Sequence, residues 1–323
     1  MAGPLFGNSP DPALQVPASS DMEQGSLGDC YFIAALGALA DSSPESIENM
    51  FIDNGVENGV HTWTVRFYWQ DVSGAYVPEY VTVNAMLPAV SNGRLVFAQA
   101  GPNGSYWMPL LEKAYAQWNE TRHEGRDGLN NYASLNGGWM DVVDTQVLGR
   151  NVTNCRPTAD PAVKQTLIEA IRDQKAVTAA IFGSYSDALF CQRKLVSGHA
   201  YQVASYDADP DSPTFDTFQL RNPWGCYEPA PLTWQELCAY CPGLIIADPS
   251  SSETGGACAL GMSVGEVHAA AMAAVVHRQL VPNAVLSAIS GRHDFPAVGG
   301  RQEQRTRACD FVFGSMTGTQ SIR

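Results

Sequence analysis

From Asp29 to Ala40 the apolar positions Phe32, Ile33, Leu36 and Leu39 recur at helical spacing, which predicts a helix with one broad apolar face. The pattern then changes period. "HTWTVRFYW" alternates at every second residue, "DVSGA" turns the chain, and "YVPEYVTV" runs back, so two strands are expected. "GRLVFAQAGPNG" reads as a further strand and turn leading into an amphipathic helix, "YWMPLLEKAYAQW", and a polar Asn/Gly-rich connection fills residues 120–138. The second half opens with the helix "PAVKQTLIEAIRDQ", then strands "AVTAAIFGS", "GHAYQVASYDA" and "TFDTFQLRN". A short helix starts at Thr233, where Thr233 and Glu236 have capping-box spacing. The expected organisation is a lead-in over residues 1–20, a mostly helical lobe over 21–148 and a strand-rich lobe over 149–248. A linker over 249–262 and a helical extension with a polar tail over 263–323 follow.

Composition narrows what such a chain can do. Its 323 residues can bury one large core or two medium ones. A net charge of −14 argues against nucleic acid as a partner, because phosphate binding needs clustered Lys and Arg. No stretch reaches the ~20 apolar residues of a membrane span, and "MAGPLFGNSPDPALQVPASS" lacks the basic and apolar regions of a signal peptide. Eight cysteines spread over this length do not make a disulfide framework, so a reducing, cytoplasmic setting is expected.

One of those cysteines is placed for chemistry. Cys30 stands at a predicted helix start, where unpaired N–H groups and the positive end of the helix dipole favour thiolate, the nucleophilic form. Its own N–H and the Gln24 amide can donate to a developing oxyanion, and Gly25 and Gly28 let the turn curl tightly. A buried structural cysteine fits this segment equally well on its own. A thiolate needs a base. Five of the six histidines (His61, His123, His268, His277, His293) lie in ordinary strand, loop, helix or tail contexts. His199 differs, because it opens a strand behind Gly198, which leaves room for close approach. Folding the following hairpin symmetrically about "DPDSP" pairs Val203 with Phe218, Tyr201 with Leu220 and His199 with Asn222. The Asn222 amide oxygen can then fix one imidazole nitrogen and leave the other for the thiol. A one-residue slip would send Asn222 to the other face. Cys30, His199 and Asn222 form the nucleophile, base and orienter set of a cysteine hydrolase.

"QGSLGDCYFIAAL", "SGHAYQV" and "LRNPWG" resemble the three active-site blocks of the calpain family of papain-like cysteine proteases. "LVFAQAGPNGSYWMPLLEKAYAQWN", "YASLNGG" and "PLTWQELCAYCPGLIIAD" are similar to the segments between and after those blocks, so the resemblance covers residues 20–248. It implies an α+β, papain-like two-lobe core with the substrate extended in the cleft between lobes. The implied activity is that of an endopeptidase, acting on protein or peptide substrates through an acyl-thioester. The implied roles are Cys30 as nucleophile, His199 as base then acid, Asn222 as its orienter and Gln24 as oxyanion donor, with Trp224 shielding the His–Asn pair. Gly28 and Gly198 support that site.

The chemistry implied needs no cofactor. Animal members of the family carry a calcium site in each lobe, and Asp21 stands where the first-lobe site has a carboxylate ligand, a candidate calcium ligand. The second-lobe site draws on a long Trp-rich stretch that "CYEPA" replaces here. "DADPDS" lacks the Gly and the Glu of an EF-hand loop and reads as a hairpin turn. Cys238 and Cys241 form a lone CxxC without the second pair a zinc site needs. Two rival functions stay open: an acyltransferase on the same scaffold, and a non-catalytic module that keeps the cleft.

Overall fold

The computed structural model describes residues 4–7, 15–123 and 125–250. The expected helical extension over 263–323, and all of the linker beyond Ser250, lie outside the described residues.

Helix α1 (Cys30–Ser42) is the centre of the molecule. Every residue from Tyr31 to Ala40 is buried, so it is covered on all sides, unlike the one-faced helix its spacing suggests. It ends because Pro44, the first residue of α2 (Pro44–Glu48), bars helical backbone at Ser43, which sits at φ −153°. Strands β1 (Phe51–Glu57), β2 (Val60–Gln70) and β3 (Tyr76–Asn84) form an antiparallel sheet in that order. Trp63, Val65 and Phe67 of β2 alternate inward with Val81 and Val83 of β3, as the period-two pattern requires. Helices α3 (Trp107–Trp118) and α4 (Met140–Leu148) complete this lobe.

"GRLVFAQAGPNG" does not form the expected strand. Between β3 and α3 there is only an isolated bridge, Ala89 to Leu95. The backbone there is engaged elsewhere: Val96 O accepts from Ser26 N–H, Gln99 N–H donates to Glu23 O, and Ala98 N–H donates to the Glu112 carboxylate at 3.0 Å.

The second lobe is a six-stranded antiparallel sheet. Its strands are β4 (Thr153–Cys155), β5 (Ala176–Ile181), β6 (His199–Asp207), β7 (Thr217–Arg221), β8 (Leu232–Thr233) and β9 (Gly243–Ala247). Their order is β4-β9-β5-β6-β7-β8. Helix α5 (Pro161–Arg172) packs on this sheet, its N-terminus capped by Asp160 on Ala162 N–H at 2.9 Å. Helix α6 (Ala188–Gln192) leads into β6, and α7 (Trp234–Tyr240) starts on the Thr233–Glu236 capping box.

Two apolar clusters fill the lobes. The one built round α1 also takes in Ala176, Ala180 and Ala200 from the sheet, so small side chains let α1 lie close against β5 and β6. At its far end, the Asp41 carboxylate accepts from Ser19 N–H at 2.8 Å and from Gln202 of β6 at 2.8 Å, and Arg221 of β7 bonds Ser19. The helix that begins at Cys30 is thus tied to the sheet at both ends.

Candidate active site

Cys30 is the first residue of α1, behind the N-cap Asp29, and is half-buried. The backbone N–H of Ala200, next after His199, points at its sulfur. The lobes therefore bring the thiol to the start of β6. Burial pushes the thiol up to about 11, and the Asp29 carboxyl adds to this. The N–H groups of Ala200, Tyr31 and Cys30 work in the opposite direction. The helix start thus acts in the expected sense, but desolvation works against it and is the larger of the two.

His199 is 6% exposed, and its Nε2 lies 3.0 Å from Asn222 Oδ1. The Asn222 amide has one orientation consistent with its neighbours. Its Oδ1 also accepts from Trp224 N–H at 3.1 Å, while its Nδ2 donates to Tyr227 O at 3.1 Å. Nε2 therefore carries the proton and Nδ1 is the basic nitrogen. The Trp224 ring lies 4.9 Å from the imidazole and Tyr201 meets it edge-on. This closed surround lowers His199 to about 4, with the Asn222 bond opposing the shift.

The hairpin register differs from a symmetric fold, yet the pair forms. Val203 faces Leu220 instead of Phe218, an offset of two that keeps faces unchanged. Nearer the turn Ser205 faces Gln219, an odd offset that would put Asn222 on the wrong side. A bulge at Ala204 absorbs the extra residue. Asn222 then sits just past β7, diagonally across from His199. Neither a bulge at an alanine nor its position has a sequence signal.

Gly198 holds φ +70°, and a Cβ there would come no nearer than 3.9 Å to Phe182. It is needed for left-handed backbone before β6, not for the room expected. Gly28 is needed for space: a Cβ would meet Asn136 Oδ1 at 2.9 Å. Its N–H donates to that oxygen, and its carbonyl accepts from Gly137 N–H, both at 2.8 Å. Gln24 N–H donates to Pro223 O at 2.9 Å, which ties the turn before Cys30 to the loop after Asn222. The Gln24 side-chain nitrogen donates to Leu27 O at 2.7 Å, so one of its two N–H groups is used within the turn. Three further residues escape a sequence reading. Glu228 accepts from Asn222 N–H at 2.8 Å, Asn136 holds Gly28, and Glu112 reaches Asp29 from another helix.

Asp21 is buried at 3% exposure and committed to a protein donor. The Trp107 indole N–H donates to it at 2.6 Å. Among the described residues no three His, Cys, Asp or Glu side chains converge as metal ligands. The Asp21 carboxylate thus accepts from a protein donor at the position where the resemblance puts a calcium ligand. Cys238 and Cys241 are both free thiols.

A family model described as calpain family cysteine protease matches residues 8–235. Calpain-type cysteine protease DEK1 of Zea mays is 31% identical over 214 residues, 64% of this chain and 9% of that protein. The calpain-1 catalytic subunit of Gallus gallus is 27% identical over 213 residues, 65% of this chain and 28% of that one. Calpain-5 of Mus musculus is 30% identical over 248 residues, 67% of this chain and 36% of that one. The chain thus spans little more than a third of these relatives at most.

Proposed function

Because the chain belongs to the calpain family of cysteine proteases, we propose that it is an endopeptidase whose nucleophile is Cys30. The observation that carries the reading is the His199–Asn222 bond, with the Asn222 amide held in one orientation by Trp224 and Tyr227. It leaves Nδ1 as a base directed away from Asn222, at the strand end against which the Cys30 sulfur lies.

Burial disfavours a lone charge on either the thiol or the imidazole. As the sulfur attacks the peptide carbonyl, Nδ1 takes its proton, and the imidazolium and thiolate-derived charge offset one another in the dry site. The oxyanion forms beside the Cys30 N–H and the second N–H of Gln24. His199 returns the proton to the leaving amine, which leaves an acyl-thioester. Water activated by the same nitrogen then hydrolyses the thioester and restores the thiol. Substrates are protein or peptide chains bound extended between the lobes.

The scheme invokes no calcium, and Asp21 accepts from the Trp107 indole. Among the described residues no helix is long and apolar enough to cross a membrane. A peptidyl-epoxide probe should label wild-type protein at Cys30 and leave Cys30→Ala unlabelled. Wild-type protein that stays unlabelled, with calcium and with chelator, overturns the proposal.

A further inference from the structure

Gly28 and Tyr31, the residues on either side of the Asp29–Cys30 step, are both bonded to one short stretch of the 120–138 connection. Gly28 N–H donates to Asn136 Oδ1 and its carbonyl accepts from Gly137 N–H, both at 2.8 Å. Tyr31, 2% exposed, donates its phenol to Leu135 O at 3.1 Å. The same phenol oxygen accepts from the Arg126 guanidinium, so its donor and acceptor roles are both used. Arg126 also donates to Ser134 O and to Gly137 O, each at 2.8 Å. Its Cζ stands 5.1 Å from the centre of the Tyr31 ring, within cation–π range. Gly138 makes room for this arrangement, because a Cβ there would overlap both the guanidinium and the Tyr31 ring.

We propose that Arg126 is a positioning residue for the nucleophile: its guanidinium, bonded to Tyr31 Oη, Ser134 O and Gly137 O, clamps the 134–137 stretch onto the turn that carries Cys30. The proposal rests on the protease reading for its effect on catalysis, though not for the clamp itself. A guanidinium presents its N–H groups in a rigid planar fork, so it holds several acceptors at set angles where a lysine ammonium does not. Two of these acceptors belong to the connection and the third to the residue next after Cys30. When the turn shifts, the Cys30 sulfur and its N–H, an oxyanion donor in the scheme above, shift with it. A displacement of about 1 Å at reacting atoms already costs a large factor in rate.

The connection has other contacts that shape it without Arg126. Asp127 accepts from Asn119 Nδ2 at 2.6 Å, from Leu129 N–H at 3.0 Å and from Ser134 Oγ at 2.8 Å. Asn131 Oδ1 accepts from Ser134 N–H at 2.9 Å, which caps the short turn Tyr132–Leu135. The Tyr132 ring stacks on Phe97 at 4.0 Å. None of these contacts reaches the turn before α1. The distinct contribution of the guanidinium is therefore where the connection sits against Tyr31 and Gly28, and not whether it folds.

The test has two arms. Hydrogen exchange reads the clamp without catalysis. In Arg126→Ala the amides of Gly28 and Gly137 should exchange about tenfold faster than in wild type, while those of β9 keep their rates. Unchanged exchange at both glycines overturns the clamp. In the kinetic arm, Arg126→Ala should lower kcat roughly tenfold at nearly unchanged KM, the pattern of a misplaced nucleophile with substrate binding kept. Tyr31→Phe keeps the buried ring but removes the phenol that the guanidinium bonds, and it should lower kcat as well. Because both act through one clamp, the double variant should fall no further than Arg126→Ala alone. Losses that multiply overturn the positioning role, and so does an Arg126→Ala variant with a lower melting temperature and normal kcat. Should Arg126→Ala fail to fold, Arg126→Lys takes its place in both arms. If wild type neither cleaves peptide nor reacts with the epoxide, the protease reading fails, and the exchange arm still decides the clamp.

Discussion

Glu228 Oε2 accepts the backbone N–H of Asn222 at 2.8 Å, while Asn222 Oδ1 lies 3.0 Å from His199 Nε2. The residue that orients the imidazole is itself held by a carboxylate six positions further on, and the side chain of Asn222 is completely buried. Glu228 therefore bears on the site without touching substrate.

Removing that support should loosen Asn222. Glu228→Ala is expected to cost about 1.5–3 kcal/mol of stability, the range for a bond to a charged group. It should also lower kcat several-fold with KM nearly unchanged. Glu228→Gln, which still accepts, should recover most of the loss. Thermal melts and initial rates on a fluorogenic peptide check both statements, and a Glu228→Ala variant with normal kcat would contradict them.

His199 imposes a dependence on acid. Its folded value of about 4 lies below the ordinary 6.5, so between these values the unfolded chain binds more protons than the folded one. Stability from this group is complete above about 6.5 and is lost as pH falls toward 4, by up to about 3 kcal/mol for the full shift. Denaturant titrations of wild type and His199→Asn should converge at neutral pH and separate on acidification, with the variant losing less. Parallel curves would show that His199 is not neutral by burial.

Gly198 should not tolerate a side chain. At φ +70° a Cβ strains the backbone by about 1 kcal/mol even though space is open. Gly198→Ala is expected to lower the melting temperature and shift the start of β6, with a larger fall in turnover than in stability. If activity and melting temperature are both unchanged, the left-handed turn does not set His199.

Calcium should not matter at the first-lobe position. Rates with added calcium and with chelator should agree within error. Asp21→Asn should cost about 1–3 kcal/mol, because the buried Trp107 N–H loses its charged acceptor. Calcium-dependent turnover in the wild type, abolished by Asp21→Asn, would reverse this reading.

Local chemistry explains what could be read in advance. Cys30 at a helix start, the Thr233–Glu236 cap and the β2–β3 alternation depend on neighbours in sequence, and each is found as expected. The His199–Asn222 pair was legible too, though by a register that is wrong by two residues, an even error that keeps the face. What escaped depends on distant partners. "GRLVFAQAGPNG" has strand composition, but its backbone bonds go to residues 23 and 26 and to a side chain of α3. Glu112 reads as one more helical glutamate until the fold sets it against Asp29. Likewise the dipole at Cys30 was visible, and the desolvation that overrides it was not.

Cys30 and Asp41 occupy opposite ends of α1, separated by about 16 Å of rigid helix. That makes the helix a lever. A tilt of about ten degrees pivoting on the Asp41 end would swing the sulfur by about 3 Å, where a displacement of about 1 Å already costs a large factor in rate. The bonds of Ser19 and Gln202 to Asp41, with Arg221 on Ser19, thus fix the angle at which α1 presents the nucleophile to the cleft.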